Sequence, residues 1–130
     1  MTPFDLTPSS LALVALAGGV GAALRHLLDA AATRRWGVGQ VRGILAVNLF
    51  GSLLAGLAVG LTAPDSVLRV ASVAALGGFT TFSTAMVQTV TLALQDATVA
   101  TTARAATHAA ATAVGCVAAA ALGLAVGGAG

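Results

Sequence analysis

The chain has 130 residues, of which 58% are hydrophobic and only 8% are charged, whereas an ordinary soluble domain carries about a quarter charged residues. The net charge is +2, but the basic residues form no stripe of the kind that binds nucleic acid. Because a chain so poor in charge cannot cover a water-facing surface, this composition excludes an ordinary soluble protein and predicts one embedded in a lipid bilayer.

The first predicted membrane span covers residues 11–28. Pro8 and the two serines after it are typical of a helix start, and Arg25 is expected to snorkel to the interface or to face protein. A cleaved signal peptide is the alternative interpretation, but residues 1–10 contain no lysine or arginine. The segment is therefore expected to remain in the protein as a membrane-spanning helix.

Three further apolar segments follow, over residues 43–61, 70–94 and 105–126. At about 1.5 Å per residue, the second is long enough to cross a hydrocarbon core of about 30 Å. The last segment lacks the charged face that a soluble amphipathic helix would need. We therefore predict an all-α membrane protein, with four transmembrane helices in a single domain over residues 1–130.

The arginines are divided unequally between the two sides of the membrane. An even number of spans places both termini on the same side as the loop 62–69, which carries Arg69. The opposite side carries Arg34, Arg35, Arg42 and Arg104. Because arginine-rich loops tend to stay in the cytoplasm, the termini are expected outside, and the first and third loops inside.

The third span contains the motif GGFTTFST at residues 77–84. Gly77 and Gly78 predict a break in this helix, and backbone groups freed there must meet protein, water or an ion instead of lipid. The four hydroxyl groups can bond an anion, and the ring edge of Phe82 is electropositive. In the second span, the amide of Asn48 also needs a hydrogen-bond partner. The residues alone leave open a hydroxyl-rich kink and an interhelical clasp as alternatives to an ion path.

Four stretches of the chain match motifs of a known family. They are GGVGAALRH at 18–26, VNLFGSLLAG at 47–56, GGFTTFST at 77–84, and the pair LG at 122–123. Together they resemble the CrcB/Fluc family of fluoride channels, small four-span proteins that work as antiparallel dimers with two pores. The resemblance implies a fluoride-selective channel subunit in the cell membrane, which exports fluoride passively and protects the cell from fluoride toxicity.

The resemblance also implies roles for individual residues. Asn48 matches an asparagine near the fluoride path, and Phe82 matches the first of two phenylalanines whose ring edges face the ion. The main-chain carbonyls of Gly77 and Thr80 match the ligands of a structural sodium ion at the dimer interface. Arg25 is expected near a vestibule. The remaining residues of the expected fluoride path are Ser83, Thr84, His108 and Thr112.

Two residues depart from the family pattern. Ala85 stands where the second phenylalanine is expected, and His108 stands where a tyrosine is usual. A homodimer of this chain would then lack part of both pores. Because the arginine bias also favours a single direction of insertion, we hypothesise a heterodimer with an oppositely biased homologue, and a homodimer stays open.

The sequence also bears on functions other than a channel. A non-conducting partner subunit stays an alternative because of the two departures. A small four-span exporter coupled to protons would need a carboxylate at membrane depth, but the aspartates fall at or beyond the ends of the predicted spans. No motif such as HExxH or a phosphate-binding loop indicates an enzyme, so we predict none.

Overall fold

The computed structural model describes residues 7–36, 41–94 and 98–128. In this part of the chain all the regular structure is helical, which confirms the predicted all-α class. The helices are α1 (Pro8–Trp36), α2 (Val41–Leu61), α3 (Val67–Phe79), α4 (Phe82–Leu94) and α5 (Val99–Gly128). Only Thr80 and Thr81 separate α3 from α4, so these two helices form one broken span. The helices thus provide four segments long and apolar enough to cross a membrane.

Two of the helices continue past the charge-free stretches from which the spans were predicted. Helix α1 runs through Arg25 and Asp29 and ends at Trp36, with Arg34 and Arg35 in its last turn. Cations there are stabilised by the negative end of the helix dipole. Helix α5 likewise has 30 residues, more than the roughly 20 that a bilayer core requires. Both helices are therefore longer than the crossing of a hydrocarbon core requires.

The break in the third span lies just after the glycine pair, and the pair itself is helical. Helix α3 continues through Gly77 and Gly78 to Phe79, and Thr80 then takes an extended conformation with φ −76° and ψ 158°. Gly78 is required by packing, because a Cβ there would lie 2.1 Å from the carbonyl oxygen of Gly18. Gly78 thus lets α3 approach α1, and the chain leaves the helix at Thr80 and Thr81, where Asn48 bonds the backbone.

Close backbone contact also joins α2 to α5, the pair of helices with the most extensive contact. A Cβ on Gly56 would lie 2.0 Å from the carbonyl oxygen of Ala120, and one on Gly123 would lie 2.1 Å from that of Leu53. Small residues of this kind let helices pack tightly in lipid, where apolar burial gives little driving force between them.

Arg69 joins the end of α2 to the start of α3. Its guanidinium donates to the carbonyl oxygens of Val59 and Thr62 and to the hydroxyl of Thr62. Its backbone N–H donates to the side chain of Ser66, the N-cap of α3, at 3.2 Å. The arginine therefore satisfies carbonyls that the end of a helix leaves without partners, and its charge opposes the negative dipole end.

The side chains buried within the chain are mostly polar. Apart from glycines, the buried residues in the described part are Ile44, Ala85, Ala105, Asn48, Thr101, His108 and Thr112. Large apolar side chains such as Leu16, Phe82 and Val117 are instead more than half exposed. This distribution suits a lipid environment, in which polar groups must find partners inside the protein.

Candidate functional site

Asn48 clasps the helix break with both ends of its side-chain amide. Its Nδ2 donates to the carbonyl oxygen of Thr81 at 2.9 Å, and its Oδ1 accepts from the backbone N–H of Thr81 at 2.8 Å. Since a backbone N–H can only donate and a carbonyl can only accept, these two bonds fix the orientation of the amide. One amide hydrogen remains for another acceptor, so the clasp does not exhaust the capacity of Asn48.

The hydroxyl of Thr81 caps the start of α4. Its oxygen accepts from the backbone N–H of Thr84 at 3.2 Å, and the hydroxyl donates to the Oγ1 of Thr84 at 3.0 Å. The first N–H groups of a helix, here those of Phe82 and Ser83, have no partner within the helix and carry partial positive charge. The break therefore places an electropositive, uncharged helix end inside the span.

A groove of about 220 Å³ lies beside the break, between α2, α4 and α5. Its lining consists of Asn48, Ser52, Thr80, Thr81, Phe82, Met86, Ala109, Thr112, Ala113 and Cys116. Three residues of the predicted fluoride path, Asn48, Phe82 and Thr112, thus line a single groove. Phe82 is 78% exposed in the chain, so its ring forms an open edge of this groove. Uncharged hydrogen-bonding groups and an aromatic ring edge can together contact an anion without trapping it.

His108 lies one turn before Thr112 on the same face of α5 and is only 6% exposed. The hydroxyl of Thr112 donates to its backbone carbonyl at 2.8 Å. Within the described residues, the imidazole Nε2 of His108 and the amide Oε1 of Gln88 on α4 are both buried without a hydrogen-bond partner. Buried polar atoms normally have a partner, so His108 and Gln88 can each bond water or an ion.

Other predicted path residues lie outside the groove lining. Ser83 is exposed, and Thr84 is half-buried and bonded to Thr81. Arg25 lies on α1, one turn beyond Gly21, which contacts α3. Its Nε is buried and has no hydrogen-bond partner among the described residues. The structure thus keeps Arg25 apart from the groove.

The carbonyls predicted to hold sodium lie at the end of α3. In a continuous helix the N–H of Thr81 would bond the carbonyl of Gly77, but it bonds Asn48 instead. The Gly77 carbonyl accepts only a long bond of 3.4 Å from the hydroxyl of Thr80. Freed carbonyl oxygens are hard ligands of the kind that coordinates alkali cations, so the Gly77 carbonyl suits the predicted sodium ion.

The sequence prediction missed Met86 and Cys116, which also line the groove. Each lies four residues after a predicted path residue, Met86 after Phe82 and Cys116 after Thr112. Residues at this spacing share a helix face, so the spacing could have identified both. The bonds between Asn48 and the backbone of Thr81 leave no such signal in the sequence.

Comparison with known proteins finds a family model and several relatives described as fluoride-specific ion channels. The family model described as CrcB-like protein, Camphor Resistance (CrcB), matches residues 12–124. The fluoride-specific ion channel FluC 1 of Rubrobacter xylanophilus is 43% identical over 89 residues, which are 68% of this chain and 72% of that protein. FluC 2 of Mycolicibacterium paratuberculosis is 43% identical over 76 residues, 58% of this chain and 62% of that protein. FluC 1 of Leifsonia xyli subsp. xyli is 38% identical over 94 residues, 69% of each chain. No solved structure gives a significant match.

Proposed function

Because the chain belongs to the CrcB-like protein family, whose model matches residues 12–124, we infer that it is a subunit of a fluoride-specific ion channel. It is a multi-pass integral membrane protein that lets fluoride leave the cell passively and so protects the cell from fluoride toxicity. The observation that carries this function is the groove at the helix break, where Asn48, Phe82 and Thr112 meet. The family model that matches residues 12–124 confirms the resemblance predicted from the sequence.

The groove suits the chemistry of fluoride. Fluoride is small and strongly hydrated, so it enters a dry passage only where donors replace its water with little rearrangement. The free amide hydrogen of Asn48, the first N–H groups of α4 and the ring edge of Phe82 are such groups. None of them is a fixed cation, so the ion is held weakly enough to leave again.

The remaining predicted path residues have supporting roles. The hydroxyl of Thr112 donates to the carbonyl of His108, so its O–H must rotate before it can donate to an anion. His108 extends the path beyond Thr112, supported by its unpartnered Nε2. Ser83 and Thr84 contribute at the mouth of the groove. Arg25 draws anions towards a vestibule through its charge.

We also propose that two subunits complete the site as an antiparallel dimer. The ring of Phe82 is 78% exposed, and the proposed partner covers it and closes the groove. The carbonyls of Gly77 and Thr80 hold a structural sodium ion between the two subunits. Two carbonyls from one chain are too few for a cation, and the corresponding carbonyls of the antiparallel partner supply more.

The partner is a homologue of opposite arginine bias, and a homodimer is the alternative. Two features support the heterodimer: the excess of arginines on one side of the spans, and Ala85 in place of a second phenylalanine. Ala85 is fully buried. The absence of a second phenylalanine at position 85 also supports a second candidate function, a partner subunit that does not conduct by itself. An exporter has less support, since both described aspartates are exposed. Asp65 lies between α2 and α3, and Asp29 lies about two turns before the end of α1.

Reconstitution tests the proposal. The chain is purified alone and coexpressed with a homologue of opposite bias, and fluoride release from liposomes is followed with a fluoride electrode. We expect rapid release from the coexpressed pair and little from the chain alone. Rapid release from the chain alone would refute the heterodimer but not the channel. Absence of release from both preparations would refute the channel.

A further inference from the structure

Helix α4 presents two apolar side chains to the groove, Phe82 and Met86. They are one helical turn apart and therefore share a face. The residue between them that departs from the family pattern, Ala85, is 0% exposed and is not part of the groove lining. Val87, the residue after Met86, is 65% exposed and is not part of the groove lining. An ion in this groove therefore passes Phe82 and Met86.

We propose that Met86 is a specificity-determining residue of the channel and forms the second apolar wall of the fluoride passage. This inference rests on the proposed function. Ala85 is not part of the groove lining, so in this chain Met86 supplies the apolar wall next to Phe82. The polar lining comes from α2, the break and α5, through residues such as Asn48, Thr81 and Thr112. Met86 adds an apolar side chain from α4 to the same lining.

The chemistry of the thioether fits such a wall. Methionine has no hydrogen to donate, and its sulfur is a weak acceptor, so it offers an anion no strong site at which to stop. Its unbranched, flexible side chain fills irregular gaps. Met86 thereby limits the space for water and for larger anions, while the donors opposite remain available to fluoride. Selectivity by size then depends on the volume of this side chain.

Truncation of Met86 tests the proposal. Met86→Ala enlarges the groove, and we expect the ratio of fluoride to chloride flux to fall about tenfold or more, because losing methylene groups from a fitted apolar wall changes discrimination by at least that factor. Met86→Leu keeps the volume and apolar character, so it should retain a ratio within about twofold of the unmodified chain. Val87→Ala is the matched control, since it removes a neighbouring apolar side chain outside the groove.

The flux ratios are measured in liposomes, in whichever preparation of the unmodified chain conducts fluoride. Gel filtration in detergent checks that each variant is folded, and Met86→Val replaces Met86→Ala if the latter aggregates. An unchanged ratio in the folded truncation variant, or an equal fall in Val87→Ala, would overturn the role of Met86 and leave the channel function standing. Absence of fluoride flux in every preparation of the unmodified chain would instead overturn the channel function and, with it, this role.

Discussion

Asn48 combines two tasks in one side chain. It satisfies both backbone groups of Thr81 at the helix break, and one amide hydrogen remains for the proposed ion in the groove. The first task explains why an amide lies in a membrane span even without an ion, since the broken backbone must be paired. The interhelical clasp and the ion path, which the sequence left as alternatives, are therefore compatible in this residue.

Substitution of Asn48 separates these tasks. Asn48→Ala leaves the N–H and the carbonyl of Thr81 unpaired, so we expect the free energy of unfolding to fall by about 2 kcal/mol or more. Asn48→Asp keeps an acceptor for the N–H but adds a negative charge, so fluoride flux should be lost even where the protein folds. Thermal unfolding in detergent, followed by circular dichroism, and fluoride release from liposomes measure the two effects.

Ser52→Ala is the control for this pair. Ser52 lies one turn beyond Asn48 on the same face of α2 and also lines the groove, and it forms no hydrogen bond to the break. We expect little change in stability in this variant. If Asn48→Ala unfolded at the same temperature as Ser52→Ala, the clasp would not stabilise the break.

At the scale of the helices, the two adjacent glycines of the third span differ in how closely they pack against a neighbouring helix. A Cβ on Gly78 would lie 2.1 Å from the carbonyl oxygen of Gly18, whereas a Cβ on Gly77 would meet nothing within 4 Å. Gly78→Ala should therefore push α1 and α3 apart and lower the free energy of unfolding by about 1–3 kcal/mol. Gly77→Ala should be neutral or slightly stabilising, because alanine favours helix. Equal unfolding temperatures for the two variants, measured in detergent, would contradict this packing.

The helices were more predictable than the break and the site. Length and hydropathy indicated the spans because a hydrocarbon core requires a continuous run of about 20 mostly apolar residues. The glycine pair indicated that the third span breaks, but the chain leaves the helix only at Thr80 and Thr81, under contacts with Asn48 that lie 33 residues away in sequence. The burial of Ala85 and the exposure of Phe82 also depend on how α4 and α5 pack, which local sequence does not encode. The single-domain division and the exact limits of the spans in the membrane stay predictions.

At the scale of the molecule, the polar interior and the apolar exterior suit a subunit that meets lipid on its outside and a second subunit along the groove. In the proposed dimer the partner completes the site, because Phe82 lies at the open edge of the groove and the proposed sodium ion needs more ligands than Gly77 and Thr80 supply. Function should therefore depend on how the chain is inserted relative to its partner.

Labelling with a thiol reagent that does not cross membranes tests the direction of insertion. Val99 is 89% exposed and lies at the side expected in the cytoplasm, whereas Leu61 is 67% exposed at the opposite end. In a Cys116→Ala background, which removes the natural cysteine, Leu61→Cys should react in intact cells and Val99→Cys only after lysis. Comparable labelling of both sites in intact cells would show dual insertion and remove the main reason for a heterodimer.

The hydrogen bonds of Arg69 limit how the two subunits of the proposed heterodimer could diverge from a common ancestor. Its guanidinium is committed to the carbonyl end of α2, so replacing it would fray a helix junction as well as shift the charge balance across the bilayer. Arg34 and Arg35 are exposed at the other end of the molecule and carry no comparable structural duty within the described residues. After a gene duplication, reversal of insertion would therefore proceed most readily by loss of arginines from that end, while Arg69 would be retained in both descendants.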